Sequence, residues 1–276
     1  MNSPDNQYFP FIHGDAELRK LASGIRKEMT DYITQYHLSS LILGISGGID
    51  SALCAALLKP VCEACNIPLI GRSIAIETNG QDEIERSMVV GKAFCHDFQF
   101  MDLLDSYLCN KKNLILLDNS QLSKMRTGNM KARMRMIILY DLAQLYKGIV
   151  ISTDNYTEFL TGFWTLHGDV GDYAPIMNLW KTEVYALAQF LLRECDEMQK
   201  EALQSCIDAT PVDGLGISRS DCEQLGVDNY YEADDIFQRY FKGEDKSLNE
   251  HPLIKRFKAS AYKRNNPISI SRNRLI

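Results

Sequence analysis

No stretch of the chain approaches the roughly 20 consecutive apolar residues that a membrane-spanning helix needs, so a helical membrane protein is excluded. The first residues, MNSPDNQYFPFIHGD, have neither a basic start nor an apolar core before a small-residue cleavage site. No secretory signal is expected there, and the expected compartment is the cytoplasm. Positive charge is not in excess either: the net charge of −6 argues against a broad nucleic-acid surface and favours small ligands. Cys62 and Cys65 form a CxxC, but no second pair stands at metal-site spacing, and the eight cysteines lie mostly inside apolar segments. They read as free, buried thiols rather than as a zinc or redox site. Internal repeats and low-complexity tracts are also missing.

What remains is an ordinary globular composition, 45% hydrophobic and 24% charged over 276 residues, read as one domain spanning 1–276. Leu18, Leu21, Ile25, Met29 and Ile33 recur at helical spacing over 16–36, and SSLILGI follows as a buried strand. After Gly47 and Gly48 the run SALCAALLKPVCEAC, with Leu53, Leu57 and Val61 four apart, predicts a helix behind a glycine turn. PLIGRSIAI reads as a second strand, QDEIERSMVVGKAF as a helix with an acidic first turn, and FQFMD as a short strand. Over 121–146, Met130, Met134, Ile137, Ile138, Leu142 and Leu145 predict one apolar stripe, and KGIVIST follows as a further strand. LWKTEVYALAQFLL is another helix, 205–230 is loop-rich, and the segment HPLIKRFKASAYKRNNP is basic. Strands alternating with helices imply an α/β fold, a three-layer sandwich around a mostly parallel sheet. Ligands of such sheets lie at the carboxyl ends of the strands, so Ser46 and Thr153 should open into one crevice.

The sharpest chemical signal is LILGISGGIDS, residues 41–51. Gly47 and Gly48 let the backbone approach phosphate oxygens, the helix start favours an anion, and Ser46 and Ser51 add hydroxyl donors. Asp50 would repel a phosphate unless a divalent cation lay between them, which points to Mg²⁺. Taken singly, Asp50 reads equally as a helix N-cap and the glycines as a turn. No GKS or GKT follows, so this is not a Walker loop. Glu158 lies just past the strand end at Thr153; converging with Asp50 it would require a cation, and otherwise it is a solvated first-turn acid. Lys181 opens a helix, where a cation opposes the dipole, and so calls for a compensating anion such as phosphate. Arg133, on the 126, 130, 133, 137 line, should point into a cleft.

SGGxDS resembles the signature of the N-type ATP pyrophosphatases, the PP-loop enzymes that adenylate a substrate and release pyrophosphate. Further along, GNMKARMRMIILY, STDNYTEFLTGFWT, HGDVGDYAPIMNLWKTEVY and YKRNNP resemble, in order, the motifs of the ammonia-dependent NAD synthetases. The resemblance implies an adenine nucleotide alpha hydrolase-like fold and the amidation of deamido-NAD to NAD through an adenylate, with ammonia as nitrogen donor. It implies ATP contacts from Gly44, Ser46, Gly47, Gly48, Asp50, Ser51, Arg72, Thr153 and Lys181, and Mg²⁺ on Asp50 and Glu158. Arg133, Asp172, Tyr262 and Lys263 would hold deamido-NAD, Asp169 would join Asp50, Glu158 and Lys181 in catalysis, and the chain would be a homodimer.

Departures from the family pattern fall at 166–173 and at Val212. Leu166 stands where the family carries a lysine for deamido-NAD, His167 replaces a tyrosine, the GDVGDY loop is one residue short, and Val212 replaces a phosphate-binding threonine. His167 is the nearest replacement for the missing cation, because imidazole donates a hydrogen bond when neutral and supplies charge when protonated. The alternatives are another PP-loop ligase or tRNA-thiolating enzyme, disfavoured by the negative charge, and a non-catalytic ATP-binding module, disfavoured by Glu158 and Lys181 together.

Overall fold

In a computed structural model, residues 9–210, 216, 222 and 225–272 are described. The sequence expectations for Val212 and for most of the 210–220 loop fall outside them. Four strands, β1 (Leu41–Gly44), β2 (Leu69–Ala75), β3 (Asp97–Asp102) and β4 (Ile149–Ile151), form one sheet in the order β3-β2-β1-β4. Every pairing is parallel, with Leu43 opposite both Gly71 and Ile151. Helices cover both faces, as expected for a parallel sheet buried on both sides. The helices before and between the strands are α1 (Asp15–Tyr36), α2 (Ile49–Cys65), α3 (Gln81–Phe94), α4 (Leu104–Lys111) and α5 (Gln121–Leu145). Those after β4 are α6 (Tyr156–Thr161), α7 (Lys181–Leu191), α8 (Glu197–Ile207), α9 (Tyr230–Lys242), α10 (Pro252–Ala259) and α11 (Ala261–Arg264).

Strand alternation divides the apolar side chains between the two faces. Leu41 and Leu43 join Leu53, Leu57, Val90, Leu187 and Leu203 in the core beneath α1, α2, α3, α7 and α8. Ile42, Ile70, Ile74 and Val150 face the other way, onto Met134, Met136, Leu139 and Ala143 of α5. Ala132, Met136, Leu139 and Ala143 of α5 are all buried, whereas Ile137 and Leu145 are 67% and 66% exposed. This corrects the predicted stripe. α5 is apolar on several sides, so periodicity identifies the helix but not the face that the small side chains present to the sheet.

The chain builds β2 and β3 on one side of β1 and then returns to place β4 on the other. The loops leaving β1 and β4 therefore diverge from adjacent strand ends, the topological switch point where open α/β sheets bind ligands. A separate aromatic core of Tyr156, Trp180, Phe237 and Phe257 packs α6, α9, α10 and the entry to α7 together. Trp180 meets Tyr156 edge-on at 4.7 Å between ring centres, and its indole Nε1 donates to the Phe9 carbonyl. That core fixes where α6 and α7 begin, and both helix starts carry candidate site residues.

Candidate active site

The loop after β1 is held open by its own hydroxyls. Ser51 Oγ donates to the Gly48 carbonyl and lies 3.1 Å from Ser46 Oγ, which in turn accepts from Gly48 N. Gly47 has φ +84, and a Cβ there would come within 2.4 Å of the Glu83 carbonyl, so only glycine fits. The Gly47 carbonyl accepts from Arg86 Nε, which leaves the start of α2 facing a cleft of about 310 Å³. Ser51 itself is buried and braces this turn, its Oγ accepting from Ser46 N at 3.3 Å.

Asp50, in the first turn of α2, does not cap the helix, since Gly48 holds that position. Its carboxylate meets Lys181 Nζ at 2.5 Å and accepts from Asn155 Nδ2 at 2.9 Å. Lys181 Nζ also reaches Glu158 Oε1 at 3.2 Å. Two carboxylates from different loops thus converge on one ammonium. In the protein alone these two carboxylates are the anions beside a lysine at a helix start. Burial alone would lower the Lys181 pKa, but the charges of Asp50 and Glu158 outweigh it and hold the amine well above its usual value. Glu158 is the third residue of α6 and forms a capping box with Asn155. Asn155 was not singled out from the sequence, yet it caps α6 and pins Asp50 at once; its signal was the N-x-x-E spacing ahead of an apolar turn.

The opposite wall comes from β2 and α5. Arg72 lines the cleft, but its guanidinium is buried and paired with both oxygens of Asp97 at 3.2 Å. The arginine that α5 turns inward is Arg135, donating to the Ile74 carbonyl and to Asn79 Oδ1. Ile74, Ala132, Met136 and Leu139 give the cleft apolar lining, and Gly44, Ser46, Gly47, Gly48, Thr153 and Asp169 line it as well. Asp154 and Asp169 both have raised pKa values, chiefly through burial, with Asp154 raised further by the charge of Asp169.

The sequence profile of the NAD synthase family matches residues 21–267. An NH(3)-dependent NAD(+) synthetase of Finegoldia magna is 32% identical over 246 residues, 89% of this chain and 93% of that protein. The chain belongs to the NAD synthase family. A crystal structure of NAD+ synthetase from Burkholderia pseudomallei shares 26% identity with a TM-score of 0.68, covering 96% of this chain and 95% of that one. A structure of NMN synthetase from Francisella tularensis has a TM-score of 0.75 at 23% identity, covering 93% of this chain and 98% of that one, a likeness of fold.

For an NAD synthase, the residues expected to hold the dinucleotide are placed unevenly. Arg133 is exposed in a groove outside the cleft at the glycine loop, with Met130 and Ile137, and donates to the Leu166 carbonyl. His167 is exposed at φ +59, its Nε2 3.3 Å from Asn266 Nδ2. Lys263 Nζ donates to the Gly162 and Trp164 carbonyls, and burial lowers its pKa. These three gather around 162–169, and Tyr262 is exposed beside them in sequence. Asp172 is engaged elsewhere, accepting from Tyr140 OH at 2.9 Å and Val150 N at 3.0 Å. The basic C-terminal segment therefore serves this member of the family first as a clamp on the end of α6, where Arg256 and Arg264 also donate to the Thr161 and Leu160 carbonyls. All eight cysteines are free thiols, and among the described residues no helix is long and apolar enough to cross a membrane.

Proposed function

We propose that the chain catalyses the ATP-dependent amidation of deamido-NAD to NAD with ammonia, releasing AMP and pyrophosphate. The observation that carries this reading is the convergence of Lys181, Asp50 and Glu158 at the foot of the glycine loop, in a chain of the NAD synthase family. ATP lies across Ser46–Asp50 with its adenine toward Ile74, Met136 and Leu139 and its phosphates against the Gly47 and Gly48 amides and the start of α2. The nicotinate carboxylate attacks the α-phosphorus, and pyrophosphate leaves beside Lys181, whose charge stabilises it. Ammonia then adds to the acyl carbonyl and AMP departs. Asp169, ionised, takes the proton that the amine sheds. No covalent enzyme intermediate is involved; the site supplies position and charge.

The donor set at the foot of the loop fits Mg²⁺. Asp50 and Glu158 bring hard carboxylate oxygens close together around Lys181 Nζ, and this ion is typically held by one or two carboxylates together with substrate phosphates. When bound, the ion would offset phosphate charge. Deamido-NAD is held around 162–169 by Arg133, His167, Tyr262 and Lys263, and Asp172 orients Tyr140. A homodimer is part of the same reading: the exposed apolar residues of α5, Leu122, Met125, Ile137 and Leu145, suit a second copy. The chain acts as one synthetase domain in the cytoplasm. Pyrophosphate release that requires deamido-NAD tests the reading, and release at the same rate without it would refute it.

A further inference from the structure

We propose that Asp234, outside the cleft, is a positioning residue for Lys181 and Glu158, acting through a hydrogen-bonded ring that caps α7. The proposal rests on the ligase reading above. The first amides of a helix need acceptors from outside it, and Trp180, at the N-cap of α7, has no side-chain oxygen to give. Another helix supplies them. Thr182 N donates to Asp234 Oδ2 at 2.9 Å, and Lys181 N donates to Thr157 Oγ1 at 3.0 Å. Thr157 Oγ1 donates in turn to Asp234 Oδ1 at 2.5 Å, which closes the ring.

Thr157 precedes Glu158 and Thr182 follows Lys181, so one carboxylate fixes the backbone beside both site side chains. Tyr230, one turn earlier on α9, lies with its ring centre 5.0 Å from Lys181 Nζ, so α9 holds the lysine at both its backbone and its amine. Asp234 is fully buried, and desolvation pushes its carboxyl up to about 7. An acid kept in such surroundings is a poor choice for stability alone, whereas an apolar residue there would leave the α7 amides unsatisfied.

Thr157→Val keeps the side-chain shape and removes the hydroxyl, Thr157→Ser keeps the hydroxyl, and Asp234→Asn weakens the cap. In full-length protein melting above the assay temperature, Thr157→Val and Asp234→Asn should lower kcat for deamido-NAD-dependent pyrophosphate release about 10- to 100-fold, as expected for a misplaced charge. The KM for deamido-NAD should change less than about 3-fold, and Thr157→Ser should stay within about 3-fold of wild type in kcat. Unchanged kcat in Thr157→Val, or equal loss in Val and Ser, would overturn the proposal. A wild-type chain that releases no pyrophosphate would sink the ligase reading instead. The ring would then be read by Mg-ATP affinity in calorimetry, where loss in Val with retention in Ser supports it and equal affinities overturn it.

Discussion

Lys181 Nζ lies 2.5 Å from Asp50 Oδ2, joining the first turn of α7 to the first turn of α2 across 131 positions of sequence. Each of those helix starts comes from a different part of the sheet, and the contact closes the cleft between them. The same carboxylate accepts from Asn155, so its position is fixed from two sides.

Replacing Asp50 by asparagine should therefore leave the fold intact, because Glu158 still neutralises Lys181. The charge available to phosphates and a divalent cation falls. Pyrophosphate release at saturating Mg²⁺ should drop by about 100-fold or more, corresponding to several kcal/mol of lost charge stabilisation. Turnover within about 3-fold of wild type would remove Asp50 from the catalytic set.

Stability of the ligand-free protein should fall as pH rises through neutrality. Asp234 has its folded pKa raised from 3.8 to about 7, and Asp154 and Asp169 are raised in the same direction, all by burial first. A carboxyl raised in the folded state binds more protons there than in the unfolded chain. Its contribution is fully present below pH 4 and lost as pH climbs toward 7, at about 1.4 kcal/mol per pH unit per group inside the window. Urea midpoints measured from pH 5 to pH 8 should decline, and Asp234→Asn should flatten the decline. A rising or level profile would contradict the raised values. Asp118, held down near 2 by Ser120 and Ser123, acts only at lower pH.

His167→Ala should raise the KM for deamido-NAD far more than that for ATP. The imidazole is exposed outside the nucleotide cleft, next to the Leu166 carbonyl that Arg133 holds, and Leu166 brings no cation. A lost contact of this kind is worth roughly 1–3 kcal/mol. Steady-state kinetics with each substrate varied in turn gives the comparison; equal effects on both KM values would leave His167 without a substrate.

The parallel α/β architecture and the glycine loop were legible because both are local patterns: apolar strands followed by helices, and a string of small residues at one turn. Glu158 and Lys181 were legible because their places, just past a strand and at a helix start, are electrostatically conspicuous. Asn155 and Asp234 were not. Asn155 shows locally only as the cap of α6, and the contacts that tie the two residues to the site, with Asp50 and with Thr157, span 105 and 77 positions. Arg133 and Arg135 sit two apart on α5: Arg133 lines a groove with Arg126, Met130 and Ile137, the line read from the sequence, whereas Arg135, which no sequence signal singled out, turns into the cleft at the glycine loop. The order of the strands, which makes the crevice, depends on long-range pairing that no local pattern encodes.

The most direct test follows the nitrogen and the phosphates together. Purified chain supplied with deamido-NAD, ATP, Mg²⁺ and ¹⁵N-ammonium should form NAD labelled in its carboxamide, with AMP and pyrophosphate appearing in equal amounts to NAD. Unlabelled glutamine in place of ammonium should give little product, in line with the NH(3)-dependent relatives that match across most of their length. ADP and phosphate in place of AMP and pyrophosphate, or no labelled NAD at all, would contradict the adenylating ligase assigned to this site.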